Sequence, residues 1–500
     1  MSLWIAVTYI ISTIIIALVS PFYGLVLLIG SILIRFQDRF EVLNSQPTYV
    51  YMCLACIVGF IIHKDKLSKK TFWPDKHWIR FVGWVTLGLI LMAPFTLIAQ
   101  LKFLFSSIIL YYFATRCLDS IPKFQIMFAV VIAISVSLGY EATSSYLTDP
   151  NSPFAYMPNP DEKRMVGVGY YKNANEFGAL MVMPISFVFC LFLLSKSWIM
   201  RCVYVSAAAF LLFATGLTYS RTCMAIVGIM AMVIAALWGK GNIMKKAIVL
   251  GVVGVTLVGA LTVIPGPLQE RFMSIANYNE DESFQGRTRA WDQGFHMVRS
   301  YPIWGVGMSQ WPNYHGRAPH NSFIMAMAET GLPGVFFYLA AIFYAFKINL
   351  RIIEIPEHDP RYNRRNRILA ICLTANLVGF CVYAFFGNQA YTPFIFIYTG
   401  LCSAMANLVT VQHKEVHTPP PPPEKKGRGK RNTGRRNKAT GKSLEVTNPV
   451  VENEAPEKPR FPQATPRGPP APRSPPAFSR HSRLPPRDTP WRARPYRRSP

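Results

Sequence analysis

Residues Ile368–Phe386 read ILAICLTANLVGFCVYAFF, an unbroken run that contains no Asp, Glu, Lys or Arg. Arginines are concentrated immediately before it, in the stretch Arg361–Arg367. A helix of about 20 apolar residues crosses the hydrocarbon core of a bilayer, where the backbone must satisfy its hydrogen bonds internally. The run therefore predicts a membrane-spanning helix whose basic start lies at the membrane surface.

The same pattern recurs along most of the chain, in which 51% of the residues are hydrophobic. Some runs are short for a full span, so tilt and local bilayer thinning enter the count, and we expect about 12 or 13 crossings. The predicted fold is an all-α, polytopic integral membrane protein. The further apolar runs cover residues 3–19, 22–34, 50–62, 81–99, 103–113, 126–138, 179–194, 203–217, 224–237, 247–264, 335–346 and 393–411.

Charge predicts the orientation of these helices. Lys and Arg cluster in alternate gaps between the runs, for example around Lys64–Lys76, Lys240–Lys246 and Lys347–Arg367. Short basic loops remain cytoplasmic, so residues 144–175 and 265–329 are expected to face outward. Two alternatives stay open for the N-terminus: it lies outside, or one of the first two short runs is not a true crossing.

The last part of the chain has a different composition. Residues His413–Pro500 hold 21 Lys and Arg against 7 Asp and Glu, together with 20 of the 39 prolines. Such a segment cannot bury a core, so we predict a membrane domain over 1–412 and a disordered cytoplasmic tail over 413–500. The tail could attract anionic membrane lipids or bind proline-recognising partners, or simply be solvated. Nucleic acid is not an expected partner, because no aromatic platform or folded motif accompanies the charge.

All nine cysteines lie in or beside apolar runs. We interpret them as small membrane hydrophobes, including the pair Cys53-x-x-Cys56, which has no second pair to complete a metal site. No spacing of histidines matches a metal ligand set either, so no metal is predicted.

The polar stretch 265–329 concentrates the residues that can carry chemistry. Gly286-Arg287-Thr288-Arg289-Ala290-Trp291 opens an amphipathic helix that runs to about Ser300. Its apolar stripe of Trp291, Phe295 and Val298 is predicted to face the membrane surface. Pro302 ends this helix, and Gly305-Val306-Gly307 indicates a tight turn rather than a phosphate loop.

Two further positions place polar groups where a span meets water. Arg221, in Tyr219-Ser220-Arg221-Thr222, either extends to lipid headgroups or binds a phosphate through its planar guanidinium. His320, in Pro319-His320-Asn321-Ser322, begins the next helical pattern. A neutral imidazole there is either a cap or a general base for a hydroxyl proton.

The order of these motifs resembles the O-antigen ligase and polymerase superfamily. This group includes lipopolysaccharide O-antigen ligases, O-antigen polymerases and bacterial O-oligosaccharyltransferases. The specific part of the resemblance lies between Asn173 and Gly334. The motifs are Asn173–Gly178, Ser220-Arg221, Gly286–Trp291, Pro302–Gly307 and His320–Gly334.

The resemblance implies an inverting, metal-independent glycosyltransferase at the outer face of the bacterial inner membrane, without a cofactor. Its donor would be a polyprenyl-diphosphate-linked glycan, and its acceptor lipid A core, another glycan or a protein side chain. Carried over by position, Arg221 and Arg287 would bind the diphosphate, and His320 would activate the acceptor. The supporting candidates for substrate binding are Arg289, Asn175, Trp291 and Asn321.

Two rival classes remain. A transporter of lipid-linked glycans would also need a membrane bundle and diphosphate-binding arginines, but coupled transporters place ionisable groups within their spans. The predicted spans here are nearly uncharged, which favours chemistry at the interface. A scaffold protein that works through its basic tail would leave the outward cluster of motifs unexplained.

Overall fold

The computed structural model describes residues 3–44, 48–67, 72–149, 151–159, 162–238, 251 and 282–417. Most of these residues are helical, and they include one short antiparallel hairpin of strands β1 (Ala155–Asn159) and β2 (Glu162–Met165), in which Ala155 pairs with Met165. The helices are α1 (Leu3–Val19), α2 (Pro21–Ile34), α3 (Phe36–Arg39), α4 (Glu41–Asn44), α5 (Thr48–Ile62), α6 (Trp73–Met92), α7 (Leu97–Cys117), α8 (Ile121–Thr148), α9 (Ala174–Val182), α10 (Ile185–Leu194), α11 (Trp198–Leu217), α12 (Arg221–Trp238), α13 (Glu282–Ser300), α14 (Ser322–Ile353), α15 (Arg364–Phe385) and α16 (Pro393–His417).

These helices confirm the predicted all-α, polytopic membrane fold. Within the described ranges, nine helical segments are long and apolar enough to span a bilayer, and α1 and α5 are shorter apolar helices. The predicted span over 247–264 lies outside the described residues, as do residues 265–281 of the outward loop and the tail after His417. Helix α16 continues to His417, past the predicted domain boundary at residue 412.

One predicted span is divided in two. The apolar run over 81–99 contains the end of α6 at Met92 and the start of α7 at Leu97, with a 3₁₀ turn at Pro94–Thr96 between them. Proline lacks the N–H that a helix interior needs, so the chain reverses at Pro94 although its neighbours are apolar. Hydropathy alone does not register this reversal.

Contacts between α6 and α14 define the two ends of the bundle. Trp84 of α6 donates from Nε1 to the carbonyl of Thr330 at 3.0 Å, whereas Trp73 stacks on Tyr344 at a centroid distance of 5.5 Å. Helices α6 and α14 are therefore antiparallel. We call the end that contains the start of α14 the motif end, and the end that contains Trp73 and Tyr344 the basic end.

The packing of the first helices bears on the two alternatives for the N-terminus. His63 Nε2, just after α5, lies 3.1 Å from the carbonyl oxygen of Leu18, near the end of α1. Helices α1 and α5 are thus parallel, and both end where α6 begins, at the basic end. This arrangement puts Leu3 at the motif end and favours the alternative in which the first three apolar runs all cross.

A buried carboxylate joins α6 to α7 at the basic end. Asp75 is 4% exposed and accepts a hydrogen bond from Arg116 Nη2 at 2.9 Å and from the hydroxyl of Tyr111. It also accepts from the backbone N–H of Phe72 at 2.9 Å, which caps the start of α6. Both charges of the Asp75–Arg116 pair are buried, so each is stabilised by the other charge and not by water.

Replacing Asp75 by Asn should destabilise the protein strongly. The substitution leaves the Arg116 guanidinium buried without a compensating charge, which typically costs about 3–5 kcal/mol. Thermal unfolding of the purified protein in one detergent measures the effect, and Asp359→Asn is the matched control. Asp359 pairs with Arg361 at 2.6 Å in an exposed loop, where ion pairs contribute little. Equal small shifts in both variants would contradict the structural role of Asp75.

Candidate functional site

Helix α14 is interrupted near its start. Gly331 adopts φ 70° and ψ −176°, outside the helical range. The next residue, Leu332, donates its N–H to the carbonyl of Pro302 at 2.8 Å, and Pro333 has no N–H to donate. In a continuous helix the N–H groups of residues 332 and 333 would bind the carbonyls of Ala328 and Glu329. These two carbonyls therefore lose their helical partners and can accept hydrogen bonds from another segment.

The segment Pro302–Gly307 supplies those partners. Val306 donates its N–H to the carbonyl of Ala328, and Gly307 donates to that of Glu329, both at 3.0 Å. Together with the bond at Pro302, this pairing fixes the segment after α13 against the kink of α14.

The glycines of this segment are structural, as the sequence predicted. Gly305 and Gly307 have φ of 68° and 97°, a region that favours glycine. A Cβ on Gly305 would lie 2.4 Å from the carbonyl carbon of Glu329. The backbone can approach α14 only because position 305 has no side chain.

Glu329 lies within α14, whereas the sequence placed it at the end of the outward loop over 265–329. It is 1% exposed, and its Oε1 accepts the backbone N–H of Trp311 at 3.1 Å. Trp311 in turn packs in a small apolar cluster with Ala290 and Met297 of α13. The carboxylate thus holds the loop after Gly307 between the two helices.

Helix α13 ends at Ser300 as predicted, but its buried stripe is different. The buried face carries Ala290, Gly294 and Met297, whereas Phe295 is 44% exposed. Trp291 lies at the edge of this face, with its ring 5.7 Å from that of Phe385. Trp291 and Val298 pack against the cluster around Trp311. The predicted membrane-facing stripe of Trp291, Phe295 and Val298 is therefore wrong for these two residues, and Phe295 alone of the three is exposed.

His320 is held between two fixed neighbours. The carbonyl of Pro319 accepts the indole N–H of Trp291 at 2.8 Å. Asn321 is 1% exposed and caps α14, its Oδ1 accepting from the N–H groups of Phe323 at 3.0 Å and Ile324 at 3.1 Å. His320 itself has φ 48°, a left-handed conformation that is unusual for a residue with a side chain.

Asn321, and not His320, therefore caps the start of α14. Among the residues that the structure describes, no hydrogen bond is formed by the imidazole ring of His320. Backbone strain at a residue fixed on both sides is typical of functional positions. The ring is half-buried.

The electrostatic environment keeps His320 neutral. Burial lowers the pKa of its imidazole below the ordinary value of 6.5, and the positive charges of Arg287 and Arg317 lower it further. The guanidinium of Arg317 lies against Gly286, where a Cβ would overlap it. Sequence reasoning missed Arg317, although its position three residues before His320 was a usable signal.

A polar network extends from α14 to the end of α15. Ser322, which is fully buried, donates from Oγ to the carbonyl of Gly387 at 2.6 Å and accepts the N–H of Gln389 at 2.7 Å. The Gln389 side chain accepts from the hydroxyl of Tyr170 at 2.8 Å and donates to that of Tyr383 at 3.1 Å. The loop after α15 thus joins His320's helix to the loop before α9.

The same network reaches the end of α2. Tyr170 donates its backbone N–H to Asp38 Oδ2 at 2.9 Å, and Arg35 pairs with Asp38. The guanidinium carbon of Arg35 lies 4.8 Å from the centroid of the Tyr170 ring. Sequence reasoning missed this group, although Arg35, like Arg221, stands at the end of an apolar run.

Two of the predicted motifs meet directly. Ser220 donates from Oγ to Asn175 Oδ1 at 2.6 Å, and its Oγ accepts the N–H of Cys223 at 3.3 Å at the start of α12. Arg221 is the first residue of α12 and is partly exposed. Asn175 therefore positions the turn that carries Arg221.

Helix packing brings Arg221 to the motif end. Gly379 of α15 lies against Ile226 and Met230 of α12, and Cys223 lies against Gly178 of α9. Helices α12 and α15 are antiparallel, so the start of α12 and the end of α15 lie together.

The remaining candidate, Arg289, lies on the exposed side of α13. Its Nη2 is 3.5 Å from Gln285 Oε1, a weak contact. The motif end thus carries every residue that the sequence singled out.

Gly331→Ala should destabilise the protein, because its positive φ disfavours a side chain and a Cβ would lie 2.2 Å from the carbonyl oxygen of Ile303. Strained backbone of this kind costs about 1–3 kcal/mol, and the steric overlap adds to it. The control is Gly83→Ala, in the interior of α6, where a Cβ meets nothing within 4 Å. Thermal unfolding compares the two, and a Gly331→Ala variant as stable as Gly83→Ala would contradict the proposed steric constraint.

A protein family model matches a large part of this region. Residues 206–339 match the family model described as O-antigen ligase. The match includes Arg221, Arg287 and His320, together with the kink at Gly331. A comparison with curated proteins found no match.

Proposed function

Because the chain belongs to the O-antigen ligase and polymerase superfamily, as its match over residues 206–339 indicates, we propose that it transfers a glycan from a polyprenyl-diphosphate carrier to an acceptor. The observation that carries this proposal is the strained backbone of His320, which is held between the Pro319 carbonyl that binds Trp291 and the Asn321 cap of α14. Arg287 and Arg317 lie close enough for their charges to lower the pKa of its imidazole. A base next to fixed cations is suited to a reaction in which a hydroxyl attacks and an anion leaves.

The arginines act on the leaving group. Negative charge develops on the diphosphate oxygens as the bond to the sugar breaks, and preorganised donors stabilise that charge most effectively at a partly dry interface. Arg221 at the start of α12 and Arg287 on α13 are the groups we assign to the diphosphate. The planar guanidinium offers two parallel hydrogen bonds to phosphate oxygens.

His320 acts on the acceptor. Its neutral ring takes the proton of an acceptor hydroxyl or amide as the acceptor oxygen or nitrogen forms a bond to the anomeric carbon. Attack from the side opposite the diphosphate inverts the configuration at that carbon, and no cofactor or metal takes part. Holding both reactants in line is the main contribution of a rigid site.

Other residues of the motif end position these three. We assign Asn175 to the turn before Arg221, Trp291 to the loop before His320 and Asn321 to the helix after it, from the hydrogen bonds each makes. Arg289 is assigned to the path of the anionic donor, because it lies exposed on the same helix as Arg287.

The acceptor is proposed by class. We propose an O-antigen ligase reaction, in which the acceptor is lipid A core. Polymerisation onto another glycan and transfer to a protein use the same donor chemistry and are the alternatives. The basic loops at the opposite end support an orientation with the motif end outside the bacterial inner membrane.

A transporter of the same donor is less well supported. Coupled transporters use intramembrane ionisable groups that face the substrate pathway. Glu329 is ionisable and lies within a described span, but it is 1% exposed and already binds the backbone of Trp311. Its geometry is that of a structural carboxylate.

Arg221→Ala and Arg287→Ala should each lower the transfer rate about 10²–10³-fold, the usual loss when one donor to a developing anion is removed. The assay incubates purified protein with a polyprenyl-diphosphate glycan and candidate acceptors and identifies the product by mass. Arg365→Ala, an exposed arginine at the basic end, should retain wild-type activity. Normal turnover in both site variants would remove the proposed role, and movement of the carrier across vesicles without a new glycosidic product would indicate a transporter.

The acid limb of the pH profile of kcat/KM, which reports the free enzyme, should lie below pH 6.5. The neutral base is active and its protonated form is not, so activity falls as the pH drops through a pKa that burial, Arg287 and Arg317 have lowered. Arg317→Gln removes one of these causes and should move the limb to higher pH. His320→Ala should lower the chemical step about 10²–10⁴-fold while donor binding is retained.

Arg299→Gln is the matched control for the pH experiment, because Arg299 is an exposed arginine on α13. It should leave the limb unchanged. A limb that responds equally to both substitutions, or one that persists in His320→Ala, would show that another group titrates.

A further inference from the structure

A second concave surface lies at the basic end, far from His320 along α14. It is formed by the start of α6, the last turns of α14 and the second half of α16, and is open to solvent, with a cavity volume of about 310 Å³. Its walls include Trp73 and Tyr344 beside three cations, Lys76, Lys347 and Arg351. We call this surface the basic groove.

The three cations of the basic groove form no ion pair with another described residue. Within the described ranges, no ion pair is made by Lys76, Lys347 or Arg351. The neighbouring carboxylate of Asp75 is buried and bound to Arg116 at 2.9 Å. The basic groove therefore carries a local excess of positive charge.

Aromatic rings hold two of these cations in place. Lys76 Nζ lies 4.7 Å from the centroid of Trp73, and Lys347 Nζ lies 5.7 Å from that of Tyr344 and 5.9 Å from that of Phe343. Cation–π contacts orient an ammonium group without cancelling its charge. The charges are thus directed by the fold and are available to an anion.

An apolar strip continues from the basic groove along α14. Phe336, Phe343 and Leu350 repeat at intervals of seven residues and are 61%, 58% and 38% exposed. Large apolar side chains exposed on a membrane span face lipid chains. Since Lys347 contacts the Phe343 ring, the strip and the cations adjoin each other.

We propose that the basic groove binds an anionic phospholipid, with its headgroup phosphate on Lys76, Lys347 and Arg351 and an acyl chain along the strip. A soluble phosphate would use the cations but gain nothing from the strip. A zwitterionic lipid would bring its own positive charge to a surface that already holds three. The combination of charge and adjoining apolar surface therefore selects an anionic amphiphile.

The test compares two triple variants of the full chain in detergent, titrated with phosphatidylglycerol and followed by native mass spectrometry. The groove variant carries Lys76→Gln, Lys347→Gln and Arg351→Gln. The control variant carries Lys196→Gln, Arg364→Gln and Arg365→Gln, three exposed cations outside the groove lining. Both lose the same net charge, so a general attraction of basic loops for anionic lipid would weaken equally in both.

The wild type and the control variant should bind phosphatidylglycerol with equal affinity, and the groove variant at least about tenfold more weakly, since each surface cation typically contributes several-fold. Unfolding temperatures without lipid confirm that the variants are folded, and Arg351→Gln alone, at an exposed position, should give a smaller loss in the same direction.

Three results would overturn the proposal. Equal loss of affinity in both triple variants would indicate general surface charge. Equal binding of phosphatidylcholine by the wild type would exclude selection for an anionic headgroup. Displacement of the lipid by inorganic phosphate at the same concentration would show that the apolar strip contributes nothing.

Discussion

The interruption of α14 at Gly331 is the constraint on which the arrangement of the motif end depends. A continuous helix would have satisfied the carbonyls of Ala328 and Glu329 internally. The positive φ of Gly331 and the missing N–H of Pro333 instead leave these carbonyls to the segment that follows α13. Buried backbone groups must find partners, so the kink fixes the position of the segment that follows α13. Arg287 on α13 is thereby brought into the electrostatic environment of the residue that precedes α14.

A bound donor would change the electrostatic environment of His320. With the site open, burial and the two arginines lower the pKa of the imidazole. A bound diphosphate would offset the positive charge of those arginines, so the same ring would become a stronger base once the donor is in place. The site would then gain its base strength from the substrate itself. Donor binding would thereby prepare His320 to accept the proton of the acceptor.

The two ends of the bundle use polar residues in different ways. At the motif end, Ser322, Gln389 and Tyr170 form a connected network of neutral groups that ties separate loops together. At the basic end, the buried pair of Asp75 and Arg116 provides the fixed point, and other cations are left at the surface. Neutral networks hold a shape without repelling an anionic ligand, whereas surface cations meet the headgroups of the membrane. The division fits the proposed glycan transfer at the motif end and the proposed lipid binding at the basic end.

Hydropathy and charge, which are local properties, determined the fold class, the helical nature of most apolar runs and the set of motifs at the motif end. Proline and glycine also indicated the turn at Gly305. The sequence by itself did not place Asn175 against Ser220, because that hydrogen bond joins residues 45 positions apart. Nor did it show that α13 packs its small residues inward and leaves Phe295 exposed. Those features depend on which helices pack together, and only the tertiary structure decides that, because long-range packing leaves no periodic signal in the chain.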